Sequence, residues 1–104
     1  MSAPTASVTT LSEYQAEARR TINQGLTDDQ RLLDAAAGLA EEAGEVLAHV
    51  RKHLLQGRPL DRESLTLELG DALWCVAITA DTLGISLEAV ARRNVDKLRV
   101  RHPP

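Results

Sequence analysis

Phenylalanine is absent from this chain, and tryptophan, tyrosine and cysteine occur once each. Aromatic side chains normally supply the largest buried areas in a core. Here leucine and alanine stand in for them, 16 and 15 of each in 104 residues. Alanine adds little buried area, and a domain of this length hides only a limited share of its surface. Such a composition predicts helices in close approach and further burial between subunits. The lone Cys75 excludes an intrachain disulfide and fits a reducing, cytoplasmic setting. No apolar run nears the length that crosses a bilayer, so no membrane partner is expected. The net charge of −3 speaks against a general nucleic-acid binder, which would be basic. Met1–Thr10 has neither basic residues nor a continuous apolar stretch. It reads as a flexible tail over 1–10 rather than a signal peptide. Strand alternation, internal repeats and low-complexity segments are also missing.

What is present is helical punctuation over residues 11–104, read as a single domain. Thr10-Leu-Ser-Glu13 has capping-box spacing, and Leu11, Tyr14, Ala18 and Ile22 follow at helical intervals. This first helix is expected to end near Asn23, before Gly25. Thr27-Asp-Asp-Gln30 is a second capping box, opening a helix that runs to about Gln56 before Gly57 and Pro59. Asp61 is the expected N-cap of a third helix reaching about Leu83. Ser86 caps a fourth, which ends among Arg99, Arg101 and His102, where positive charge suits the helix dipole. Short connections favour antiparallel neighbours. The expected fold is all-α: an antiparallel bundle of about four helices, completed by oligomerisation.

Two carboxylate pairs stand out. Glu41-Glu42-Ala-Gly-Glu45 lies on the second helix, and residues three apart share a face, so Glu42 and Glu45 project together. The apolar stripe there reads as Leu32, Leu39, Ala43, Val46 and Val50, with Glu42 at its edge and Glu45 just beyond. Glu68-Leu-Gly-Asp71 repeats the device on the third helix. Apolar residues flank this pair on both sides: Leu65, Ala72, Val76 and Leu83 on one, Leu67, Trp74 and Ile78 on the other. A helix so bordered is expected to be central. Either pair alone is an ordinary helix-surface arrangement. Two pairs on adjacent helices gather four carboxylates beside apolar surface, which is costly unless a cation cancels the charge. Oxygen donors of this kind suit Mg²⁺, with Mn²⁺ as a substitute, and Mg²⁺ takes further ligands from substrate phosphates. A di-iron site would want Glu-x-x-His on two helices. His49 follows Glu45 by four residues, and the third helix has no histidine. Gly44 and Gly70, one inside each pair, carry a propensity cost of roughly 1 kcal/mol against alanine, and close helix contact is the expected reason.

On the fourth helix, Asn94, Lys97 and Arg101 fall on one side, bordering Leu87, Val90, Ala91 and Leu98. An amide, a point charge and a guanidinium fork suit a polyphosphate. The plainer reading is solvent-facing charge near a helix end.

Together these residues resemble the EExxE…ExxD signature of the MazG-like all-α nucleoside triphosphate pyrophosphohydrolases. Glu41-Glu42-x-x-Glu45 and Glu68-x-x-Asp71 are separated by 22 residues, 46–67. The flanks are similar too: Gly38-Leu-Ala-Glu-Glu-Ala-Gly-Glu-Val46, Leu67-Glu-Leu-Gly-Asp-Ala-Leu-Trp74, the terminal Asn94-x-x-Lys97-x-x-x-Arg101, and the early Leu11-Ser-Glu-Tyr-Gln15. The resemblance spans roughly residues 11–103. It implies that Glu42, Glu45, Glu68 and Asp71 are metal ligands and that Glu41 orients or deprotonates the attacking water. It implies that Lys97 and Arg101 hold phosphates and that Asn94 lies near the nucleotide. It further implies a homodimer or a dimer-of-dimers tetramer. The expected activity is Mg²⁺-dependent hydrolysis of a nucleoside triphosphate to the monophosphate and pyrophosphate, in control or sanitation of the nucleotide pool. The competing class is a non-catalytic helical oligomer that binds a nucleotide or a protein.

Overall fold

The structure, a computed structural model, describes residues 7–104. Of the expected tail, Met1–Ala6 lie outside the described residues. The last two residues of that tail are tied down, because Thr9 Oγ1 donates to Glu13 at 2.9 Å and Thr10 caps the first helix. Four helices follow: α1 (Leu11–Arg19), α2 (Asp28–Gln56), α3 (Arg62–Thr82) and α4 (Leu87–Arg101). No strand occurs among the described residues.

All four expected N-caps act as caps. Thr10, Thr27, Asp61 and Ser86 each accept a hydrogen bond from the backbone N–H three residues on. This satisfies one of the donors every helix start leaves free. Only Thr27–Gln30 closes the full reciprocal box. At α1 the Glu13 carboxylate reaches back to Thr9 instead. Gly57 (φ 65°) and Gly84 (φ 71°) carry the left-handed backbone that ends α2 and α3.

The end of α1 differs from expectation: the helix stops at Arg19, not near Asn23. Side chains capture the backbone there. Thr21 Oγ1 donates to the Ala18 carbonyl at 2.7 Å, and Gly25 N–H donates to Asn23 Oδ1 at 2.9 Å. The Arg31 guanidinium donates to the carbonyls of Asn23 and Leu26, both at 3.2 Å. These local bonds compete with helical ones.

α2 and α3 form an antiparallel hairpin. Pairs facing across it run in opposite order: His49 with Asp61, Glu42 with Glu68, Gly38 with Cys75. α3 is central, touching α1, α2 and α4. The buried cluster is small, comprising Ala18, Ala35, Ala77, Ile78 and Leu87, with Tyr14, Ile22, Trp74 and Val76 against it. The α2 stripe includes Ala35 rather than Ala43, which is exposed. Trp74 packs between helices and donates from Nε1 to Thr21 Oγ1 at 2.8 Å.

The closed four-helix bundle is not formed within one chain. α4 leaves α3 at a bend of 104° and does not touch α2 among the described residues. Its direction is set by Gln15, a polar side chain buried to 4% exposure. Gln15 donates to the Ile85 carbonyl at 3.0 Å and to the Ala77 carbonyl at 3.4 Å. It also accepts from Leu87 N–H at 2.8 Å. The radius of gyration is 16.2 Å, against about 13 Å for a compact chain of this length. Many leucines face outward, among them Leu33, Leu47, Leu54, Leu55 and Leu67.

Candidate metal centre

The hairpin brings both carboxylate pairs to one place. Glu41, Glu42, Glu45, Glu68 and Asp71 line an open cleft of about 540 Å³, with Gly44 on its wall. Within it, Glu42, Glu68 and Asp71 each offer an oxygen within 4.8 Å of the others. Two oxygens on opposite sides of an octahedral Mg²⁺ stand about 4.2 Å apart, so this spacing is close to that of a cation cage. Glu45 and Glu41 line the same cleft without joining the tight triad.

Glu42 sits deeper than expected. It is half-buried, in phase with Leu32, Ala35, Leu39 and Val46 rather than at the stripe's edge. Its Oε2 is shut off from solvent with no hydrogen-bond partner. Its pKa is pushed up to about 7, first by hydrogen bonding to Glu68, then by lost solvation, then by the charges of Glu68, Asp71 and Glu45. A carboxylate in that position needs either a proton or a cation. The donor set is all oxygen, which fits a hard divalent ion.

The fourth-helix residues are elsewhere. Asn94 and Lys97, with Arg93, Asp96 and Val100, line a separate open cleft of about 540 Å³. Arg101 lies one turn beyond Lys97 on the exposed end of α4. α2 and α4 are out of contact among the described residues, and the two clefts share no lining residue. His49 and His53 lie toward the closed end of the hairpin, where His53 Nδ1 hydrogen-bonds the Arg58 carbonyl at 2.6 Å.

Two features escaped the sequence reading. One is Gln15, whose polar side chain occupies the apolar phase of α1; that misplacement was the available signal. The other concerns the glycines. A Cβ on Gly44 or Gly70 would meet nothing within 4 Å, so neither serves close helix contact in this chain. Gly38 does: a Cβ there would stand 3.0 Å from Cys75 Sγ.

A family model for the MazG nucleotide pyrophosphohydrolase domain matches residues 30–104, well over half of the chain. The chain is also 40% identical over 68 residues to the Gene 37 protein of Mycobacterium phage L5, covering 62% of this chain and 60% of that protein. It is 39% identical over 72 residues to the uncharacterized protein YvdC of Bacillus subtilis (strain 168), covering 61% of this chain and 68% of that one. No solved structure matches. The chain thus spans about 60% of the phage relative's length, and neither relative's name states an activity.

Proposed function

We propose that this chain, which belongs to the MazG nucleotide pyrophosphohydrolase family, hydrolyses nucleoside or deoxynucleoside triphosphates to the monophosphate and pyrophosphate with Mg²⁺, or Mn²⁺ in its place. The observation that carries this reading is the convergence of Glu42, Glu68 and Asp71 on one point, with Glu42 Oε2 orphaned beside it. Those three and Glu45 would hold the cation. When bound, it neutralises polyphosphate charge, lowers the pKa of a water and stabilises the departing pyrophosphate. Glu41, on the wall of the same cleft, orients the attacking water and takes its proton on a carboxylate oxygen. No serine or cysteine nucleophile is needed, and Cys75 is buried as a small apolar group.

Lys97 and Arg101 receive the phosphates, and Asn94 lies against the nucleoside. Because Asn94 and Lys97 line a cleft separate from the carboxylates of their own chain, a second copy supplies these groups, in a homodimer or a dimer of dimers. The outward-facing Leu33, Leu47, Leu54, Leu55 and Leu67 support this, since apolar side chains gain by being covered. Incubation with a panel of nucleotides and Mg²⁺ tests the activity. Monophosphate and pyrophosphate are the expected products. Tight binding without turnover would make the chain a nucleotide-binding module instead.

A further inference from the structure

Gly38 and Cys75 face each other across the hairpin, one turn from the carboxylates on both helices. Gly38 lies four residues before Glu42, and Cys75 lies four residues after Asp71. Residues four apart stack on one helix face, so the pair stands directly beside the triad. Its proximity is also electrostatic: the Cys75 thiol is pushed up by burial, and the charges of Glu42 and Asp71 add to the effect. The contact is tight. The 3.0 Å between a hypothetical Gly38 Cβ and Cys75 Sγ is well inside the roughly 3.5–4.0 Å of ordinary contacts between non-bonded carbons.

We propose that Gly38 and Cys75 are a positioning pair, in which the bare glycine face seated against the thiol sets the α2–α3 separation that lets Glu42, Glu68 and Asp71 share one cation. This rests on the carboxylate reading given above. Close-packed interiors do not absorb an added methyl; they shift. Mg²⁺ and similar ions hold their oxygens within narrow distance limits. A displacement of a few tenths of an ångström, one turn away, is therefore felt at the ligands.

The test is a double-mutant cycle on the full chain, read by Mn²⁺ binding in electron paramagnetic resonance and by melting in chelator. Gly38→Ala is expected to weaken Mn²⁺ binding about tenfold or more, the range typical of changes behind a ligand shell. Its melting in chelator should stay near the parent's or fall modestly, because crowding against Cys75 is offset in part by alanine's preference for the helix. Cys75→Ala alone should weaken binding less. Combining the two returns the missing space, and affinity should recover to within about threefold of the parent, a strong coupling between neighbours. The recovery separates positioning from a general loss of structure. Gly38→Ala binding Mn²⁺ like the parent, or a double variant as weak as Gly38→Ala, overturns the proposal. If Gly38→Ala does not fold, Cys75→Val crowds the contact from the α3 side, and parental affinity there overturns it equally. A parent that binds no Mn²⁺ defeats the carboxylate reading itself and this proposal with it.

Discussion

The acidic cleft and the basic stretch of α4 are of similar size but rest on different support. The acidic cleft lies between two long helices that grip each other along the hairpin. The α4 cleft is lined by α4 residues alone, beyond the last buried position of that helix, Leu87. Charge is likewise handled differently. Glu42 is held half-buried with one oxygen unpartnered and its ionised form disfavoured, whereas Arg92 is paired on the surface with Glu88 at 2.8 Å. The first arrangement stores unfavourable energy that a ligand can relieve. The second stores none, since exposed pairs contribute little.

The largest expected effect comes from breaking the acidic side. Glu68→Gln should lower turnover to below about a hundredth of the parent, beyond what changes behind a ligand shell cost. It should leave melting in chelator unchanged or raised, because it removes one charge from a crowded cluster. Added Mg²⁺ should stabilise it less than the parent. Near-parental turnover, or equal stabilisation by Mg²⁺, would remove Glu68 from the ligand set.

The α4 side is tested by mixing. Glu68→Gln and Lys97→Ala chains are expected to be inactive separately. Unfolded together and refolded, they should recover about a quarter of parental activity if each site of a symmetric dimer draws on both copies. No recovery would place Lys97 in the same chain's site, and activity of Lys97→Ala by itself would place it outside. Light scattering at micromolar concentration should show no folded monomer, and a well-folded monomer would end the two-copy reading.

Next in size is a pH effect. Glu42 titrates near 7 in the folded apo chain, above the ordinary carboxylate range. A raised folded pKa means that the fold favours the protonated carboxyl. Apo stability should therefore fall as pH rises from the unfolded pKa, near 4.5, through about 7. Cation binding requires the proton to leave. Mg²⁺ affinity should rise by up to about tenfold per pH unit below 7 and level off above it. Calorimetry in two buffers of different ionisation enthalpy should show more proton release at pH 6 than at pH 8. Equal release at both would show that Glu42 does not titrate there.

How much of this was legible in the sequence depended on range. Thr27, Asp61 and Ser86 announced helix starts because capping is a matter of three or four neighbouring residues. The meeting of Glu42 with Glu68 and Asp71 was foreseeable from two matched spacings joined by a short connection. α1 ends earlier than its spacing suggests: Thr21 and Asn23 side chains bond the backbone beside them, and Arg31, eight residues beyond Asn23, holds the Asn23 carbonyl. The depth of Glu42 was missed by assigning Ala43 rather than Ala35 to the buried stripe. The roles of Gly44, Gly70 and Gly38 depend on what lies across the interface, which no local pattern discloses.

The smallest effect sharpens that last point. Gly70→Ala meets no atom within 4 Å and should stabilise the protein by up to about 1 kcal/mol through helix propensity, measured as a raised urea midpoint with unchanged slope. A loss of stability would reveal that a second copy covers this face of α3.

Gln15 makes the elbow between α3 and α4 directional. Apolar packing alone tolerates a range of crossing angles, since it rewards area and not orientation. Three hydrogen bonds from one amide, two given to Ala77 and Ile85 and one taken from Leu87, are satisfied together at one angle only. Opening the joint would break all three bonds and leave the buried Gln15 amide and the Leu87 N–H without these partners. The arm that carries Asn94, Lys97 and Arg101 is therefore aimed before any partner arrives, and an encounter with another molecule begins without the entropy cost of finding that direction.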